Sequence, residues 1–235
     1  LIQVMRDDVH AGVRREAIQA LERIGSPRAV PALAERVKFE PVSGLGGLLK
    51  RPREGTENRR AVVLALRKIR SPEVFPVLHA MLTEDSDPVV RAAAGEAYLD
   101  VGREAAVPNA VQALLTDSSA RVRVWLVEGL GDLPDRRSVQ PLIELYATEK
   151  NPEVRERIVW ALGHLGDARA RPLIERARTD SDSSVQEMAQ EALTALNAAS
   201  GKAPVAAAGA EENAGVLAQA LGNERGEVPT GVAVA

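Results

Sequence analysis

The chain has no cysteine, and aromatic residues make up only 3% of it. The first absence excludes disulfide staples, a thiolate zinc site and a cysteine nucleophile. The second leaves interiors to Ala, Val, Leu and Ile, so helices must approach closely, as in stacked repeats and unlike a large-cored enzyme. Neither sign of charge is in excess, with 30 basic and 33 acidic residues, so no global basic field attracts nucleic acid or anionic lipid. No apolar run reaches membrane-spanning length, and no signal-peptide pattern marks the opening at Leu1 to Met5. The chain is expected to be soluble, with the cytoplasm favoured and the periplasm left open. Leu1 to Asp8 reads as the end of a helix, which suggests a processed or truncated start.

What is present is one recurring phrase, Val-Arg-x-x-Ala-x-x-Ala-Leu-x-x-Ile, fullest at Val13, Arg14, Ala17, Ala20, Leu21 and Ile24. It returns at Val90-Arg91, Val122-Arg123 and Val154-Arg155, with degenerate copies at Asn58-Arg59 and Val185-Gln186. The leading positions lie 45, 32, 32, 32 and 31 residues apart, the mark of a repeat stack. Apolar residues at positions 1, 5, 8, 9 and 12 of each copy fall on one helical face. Each such helix is followed by a break and a second apolar helix, as in Ile24-Gly25-Ser26-Pro27 before Val30-Pro31-Ala32-Leu33. Gly stops one helix and Ser-Pro or Asp opens the next, while Pro31, Pro76 and Pro108 sit early in the second helix, where a missing N–H costs least. No alternating strand pattern flanked by hairpin signals is found, so the fold is expected to be all-α, about six helix pairs.

An acidic residue stands six positions before the repeat Arg: Asp8 and Arg14, Asp85 and Arg91, Asp117 and Arg123, Glu149 and Arg155, with Asp180 before Gln186. Six residues bridge the end of one helix and the start of the next, so this spacing predicts charge-assisted hydrogen bonds bracing the turn rather than an acid–base or metal array.

The helix pair, the acid-to-Arg spacing, the Val-Arg phrase and the Pro-containing partner helix resemble HEAT repeats. The 31–32-residue period and the Leu165-Gly166-Asp167 turn look most like the short bacterial class named after phycobilisome lyases. The resemblance covers about residues 1–196. It implies a right-handed α-solenoid whose Val-Arg helices line the concave face. It leaves function open, since proteins of this kind include scaffolds, chromophore lyases, an alkylated-base DNA glycosylase and a metal-dependent hydroxylase.

Two stretches depart from the pattern. About 13 residues are inserted between Leu33 and Asn58, at about 40–56, in a segment running Pro41 to Gly55. Residues 197–235 lack the phrase and are rich in Ala, Gly and Val, so they are expected to be disordered or a linker. A short helix near Glu211 to Leu221 would place Leu217 and Leu221 on one face, able to dock on the last repeat.

On a helical wheel, positions 3, 4, 7 and 11 of each Val-Arg helix point away from the core. The two tryptophans, Trp125 and Trp160, fall on this stripe, beside Glu128, Asp132, Arg157 and His164, with Glu96 and Asp100 one repeat earlier. Exposed aromatics beside charge compose a protein-binding hot spot. The competing reading is that an indole folds sideways to fill space between repeats. The amino-terminal end of the stripe is basic, with Arg15, Arg23, Arg60 and Lys68, and Lys50, Arg51 and Arg53 stand in the insert. These residues could receive phosphate or an acidic peptide, but ordinary solvated helix charge is the favoured reading, because no aromatics interleave them.

Gly44 to Gly47 followed by Lys50 lacks the phosphate-loop spacing. His10, His79 and His164 lie in separate repeats without the His-Glu pairs that the hydroxylase resemblance would require to hold iron. No Gly-x-Ser-x-Gly elbow is present. No catalytic residue, metal or cofactor is therefore expected. The sequence reads as a non-enzymatic scaffold that binds a protein or peptide, with a basic segment, on its concave face. The alternative is a phycobilisome-lyase-like protein handling a tetrapyrrole and its carrier. Nucleic-acid binding ranks last, because phosphate neutralisation needs a continuous basic track.

Overall fold

A computed structural model of the chain describes residues 1–41, 50–52 and 54–200, with side chains for 1–38 and 54–198. Among these residues are twelve α-helices in six consecutive pairs. The first pair is α1 (Ile2–Asp7), a helix end, and α2 (Ala11–Ile24). The next pairs are α3 (Val30–Val37) with α4 (Thr56–Ile69), and α5 (Val74–Glu84) with α6 (Pro88–Gly102). The remaining three are α7 (Val107–Thr116) with α8 (Ala120–Asp132), α9 (Val139–Thr148) with α10 (Pro152–Leu165), and α11 (Arg171–Ala177) with α12 (Ser183–Ser200). The even-numbered helices carry the Val-Arg phrase.

Local chemistry sets the boundaries as the sequence predicts. Pro88 and Pro152 open α6 and α10, and the side chains of Asp87 and Asn151 accept hydrogen bonds from Val89 N–H and Val154 N–H. Gly25 and Gly166 end α2 and α10 at φ +65° and +64°, the left-handed conformation that glycine adopts without strain. Arg70 holds the same place after α4 at φ +53° and therefore carries some strain.

The Val-Arg helices pack closely on one another in succession, α2 to α12, whereas their partner helices touch each other only sparsely. The closely spaced layer is the inner one of any curved stack, which makes the Val-Arg side the concave side. Small residues permit the approach. A Cβ built on Gly131 would lie 2.8 Å from Ala161 Cβ, and one on Gly163 would lie 2.8 Å from the Ala192 backbone. Core residues from Ile18 to Leu196 form one continuous apolar cluster through the stack.

The all-α solenoid carries one local addition, at the insert. Its flanks pair as a short antiparallel hairpin, β1 (Phe39–Pro41) with β2 (Lys50–Pro52), with Glu40 opposite Arg51. Both strands are three residues long, too short for an alternating pattern to be visible in sequence. The last helix runs on through the first four residues of the expected tail, 197–200, while the rest of that tail, with the expected helix near Leu217 and Leu221, lies outside the described residues, as does Arg53.

The acid-to-Arg spacing also needs correction. The repeat Arg does brace the turn six residues back, but through the backbone: Arg91 Nη1 donates to Asp85 O at 2.8 Å and Arg123 Nη1 to Asp117 O at 3.0 Å. Its carboxylate partner belongs to the next repeat. Arg59 binds Asp85, Arg91 binds Asp117 and Arg123 binds Glu149, each with its closest contact at 2.7 Å, and Arg155 binds Asp180 at 2.7–2.9 Å. Each acid also accepts the backbone N–H two residues on, as Glu149 does from Asn151 at 2.9 Å. The result is a ladder of bidentate pairs that ties repeat to repeat. At the first interface the acid is Glu54, the residue with which the insert rejoins the stack. Glu54 is 2% exposed and accepts from Arg14 at 2.6 and 3.0 Å, from Arg36 Nε at 2.9 Å and from Asn58 at 2.8 Å.

Burial pushes the Glu54 carboxyl up, but hydrogen bonds from Arg14, Arg36 and Asn58 outweigh it, and the group titrates below its ordinary range. Burial likewise raises Glu149, and Arg123 with the Asn151 N–H brings it down. Asp180 is lowered chiefly by Arg155. A carboxyl whose folded pKa is depressed contributes stability that is present above the unfolded value and is lost as pH falls through the folded one. Thermal melts should therefore show the stack losing stability as pH drops below about 4. Arg123→Ala leaves Glu149 buried without its cation and should cost about 3 kcal/mol in urea unfolding at pH 7. Gly163→Ala, with backbone in the way of its methyl, should cost roughly 1–3 kcal/mol by the same assay.

Candidate functional site

A Val-Arg helix in the stack has neighbours on both sides and its partner helix beneath, so three of its sides are covered. The stripe that reaches solvent is narrower than the wheel predicts. Position 3 is buried in the middle repeats, at Ala92 and Val124, and position 4 is buried at Ala61. In the interior of the stack solvent is met mainly at positions 4, 7 and 11 of α8 and at positions 7 and 11 of α4, where Leu64 is 47% exposed, and the end helices α2 and α12 also expose stripe residues such as Glu16 and Glu187.

The residues expected to form the partner site divide into three groups. Glu96 and Asp100, on α6, are held by arginines of the preceding repeat. Arg67 of α4 reaches Glu96 at 2.6 Å and Asp100 at 2.8 Å, and Arg70 reaches Asp100 at 3.1 Å. Burial raises the Asp100 carboxyl, and the bond from Arg67 and the fields of Arg67 and Arg70 bring it below its ordinary value. These two acids act as an inter-repeat clasp. Arg67 stands at position 10 of its helix, which the wheel gave to neither the core nor the stripe.

Trp160, Arg157 and His164 form the second group, on α10. The indole is half-buried and packed on the core. Its Cζ3 lies 2.7 Å from where a Gly131 Cβ would be, so the absent side chain on α8 is the slot that receives the ring. Arg157 Cζ lies 5.5 Å from the ring centroid, and His164 stacks on the ring at 5.1 Å and 27°. Trp160 thus adopts the sideways, space-filling placement. Among the described residues the Arg157 Nε is buried without a hydrogen-bond partner.

Trp125, Glu128 and Asp132, on α8, are the third group. Trp125 is 38% exposed, Glu128 is half-buried and Asp132 is exposed. Among the described residues neither carboxylate has an ion-pair partner. The structure therefore brings the predicted aromatic and acidic stripe down to one helix.

Of the basic residues, Arg23 and Lys68 are exposed, Arg15 is half-buried, and Arg60 makes a 3.7 Å contact with Glu57 on its own helix. The side chains of Lys50 and Arg51 lie outside the described residues. The histidines stay apart: His10 caps α2, His79 tilts against Tyr98 at 5.5 Å and His164 is on Trp160. Among the described residues no group of His, Asp and Glu could hold a metal ion, and no helix is long and apolar enough to cross a membrane.

Comparison with known proteins agrees with this architecture. A family model described as HEAT repeats matches residues 40–99 and 107–194, and one described as PBS lyase HEAT-like repeat matches residues 13–38. The "Uncharacterized phycocyanin operon protein Z" of Pseudanabaena tenuis (strain PCC 7409) is 30% identical over 178 residues, which span 72% of this chain and 86% of that protein. Among solved structures, the complex of CpcE and CpcF of phycocyanin lyase from Nostoc sp. PCC7120 aligns at a TM-score of 0.39 and 17% identity, over 94% of this chain and 92% of that one. Human deoxyhypusine hydroxylase, in complex with glycerol, aligns at 0.36 and 20% identity over 82% of each chain. By the repeat families its sequence matches and by its 30% identical relative, the chain belongs to the HEAT-repeat family, in its phycobilisome-lyase type.

Proposed function

We propose that the chain is a phycobilisome-lyase-like HEAT protein that docks a carrier protein on its Val-Arg face and handles a tetrapyrrole for it. The observation that supports this most is the 30% identity with a phycocyanin operon protein over 86% of that protein's length. The match of residues 13–38 to the PBS lyase HEAT-like repeat points the same way. The chemistry available to such a surface is proximity: holding carrier and pigment together raises their effective concentration and fixes their approach. Partner docking falls to the solvent-facing stripe, with Trp125 as its apolar anchor, while Glu96, Asp100 and the Trp160 group keep the repeats in register beneath it.

A second reading, a scaffold that binds its partner without pigment, is favoured by Trp125 itself, since an exposed indole beside unpaired carboxylates is protein-docking chemistry whatever the cargo.

The two readings separate on mixing the chain with unpigmented phycocyanin and its tetrapyrrole. Faster attachment of pigment to the carrier, or a coloured complex that co-elutes with the chain, is expected. Unchanged attachment with colourless elution would overturn the lyase-like reading. Retention of an uncoloured protein partner in that case would put the scaffold in its place.

A further inference from the structure

Three successive helices treat the same stripe differently. On α6 it carries two carboxylates, Glu96 and Asp100, and they take the guanidinium of Arg67 from α4 at 2.6 and 2.8 Å. On α10 it carries an indole, Trp160, which has the guanidinium of Arg157 over its ring at 5.5 Å. The acid pair on α6 holds an arginine, and the aromatic face on α10 holds one too.

Between them, α8 offers both. Trp125, Glu128 and Asp132 stand at i, i+3 and i+7, one above another on a single helix face. Among the described residues the two carboxylates meet no cation and the Trp125 ring has none over it. The framework explains why. The residue that supplies Arg67 to the α4–α6 interface is replaced, 32 residues on, by Leu99, whose Cδ1 packs 2.6 Å from where a Gly129 Cβ would be. Arg121, one turn before Trp125, makes no ion pair or ring contact among the described residues.

We propose that Trp125, Glu128 and Asp132 form a seat for an arginine side chain of the partner protein. The guanidinium lies flat on the indole and its N–H groups donate to the two carboxylates. Arginine suits the seat better than lysine because its planar fork stacks on a ring while pairing with carboxylates at its edge. Both halves of that geometry already occur in this chain, at Trp160 with Arg157 and at Arg67 with Glu96 and Asp100. The proposal rests on the reading of the Val-Arg face as a partner-docking face and names the group that this face recognises.

The test is fluorescence anisotropy of a labelled alanine-based peptide carrying two arginines one helical turn apart, titrated with the full chain. Counterparts with lysine or citrulline at the same places serve as controls. The arginine peptide should bind best, and Trp125→Ala or the pair Glu128→Gln, Asp132→Asn should each weaken it about tenfold, while Trp125→Phe keeps most of the affinity. The pair Glu187→Gln, Glu191→Gln, on α12, should stay within about twofold, as charges away from an anchor do. Equal weakening by the α12 pair would reduce the effect to diffuse acidity and overturn the seat, as would unchanged binding by Trp125→Ala with circular dichroism intact. Self-association of the wild-type chain that Trp125→Ala abolishes would assign the seat to an arginine of a second copy and overturn the partner reading. A chain that binds the arginine peptide through Trp125 yet promotes no pigment attachment refutes only the lyase-like function. A chain that attaches pigment but shows no preference for arginine refutes only the seat.

Discussion

Everything in this molecule hangs on a guanidinium shared between two repeats. Each ladder arginine donates to a carbonyl of its own turn and to the carboxylate of the next, and that carboxylate in turn accepts a backbone N–H at the start of the following helix. One side chain therefore fixes the turn before its own helix, and its carboxylate partner fixes the turn one repeat on. Because the carboxylate must fall 25 or 26 residues after its arginine in every regular interface, the ladder and the repeat length are the same constraint seen twice.

A second row of bonds braces the turns that join one helix pair to the next in the later repeats. Asp135 and Asp167 each accept the N–H and guanidinium of the residue two on, Arg137 and Arg169, and those arginines reach back to the carbonyls of Glu104 and Arg136 in the preceding repeat. The hydrogen bond from Arg169 is the main reason the Asp167 carboxyl is lowered to about 2. The carboxylates buried in the turns are thus paired, and the interior between them is left largely to aliphatic side chains. That division leaves one part of the Val-Arg stripe, Trp125, Glu128 and Asp132 on α8, without an ion-pair or ring partner among the described residues.

Much of this was legible in the sequence, for a physical reason. Helical periodicity is a property of single helices, and residues such as Val90, Ala94, Ala97 and Tyr98 declare it without reference to neighbours. The half of the ladder that spans six residues was legible too, because both ends lie in one turn. The other half was not, since Arg91 gives no local sign that its carboxylate is Asp117 rather than Asp85. The same limit governs the site. Whether Trp160 faces solvent is decided by Gly131 on another helix, and whether Glu96 is free is decided by Arg67. A repeat-by-repeat alignment of position 10, reading Arg67, Leu99, Gly131 and Gly163 in a column, is the signal that would have exposed both.

Glu54 carries a consequence of a different kind. The stack absorbs an inserted hairpin at its first interface because the chain, on re-entering, delivers a carboxylate to the waiting Arg14 and a carbonyl to Arg59. Register is restored at Glu54, near the end of the insertion. The turn inside each helix pair is by this logic a splice site: a loop grafted there, with its own shape and cargo, keeps the register provided it delivers an acid to the arginine of the repeat before. Diversity in such a protein can accumulate at its edges while its groove keeps a constant geometry.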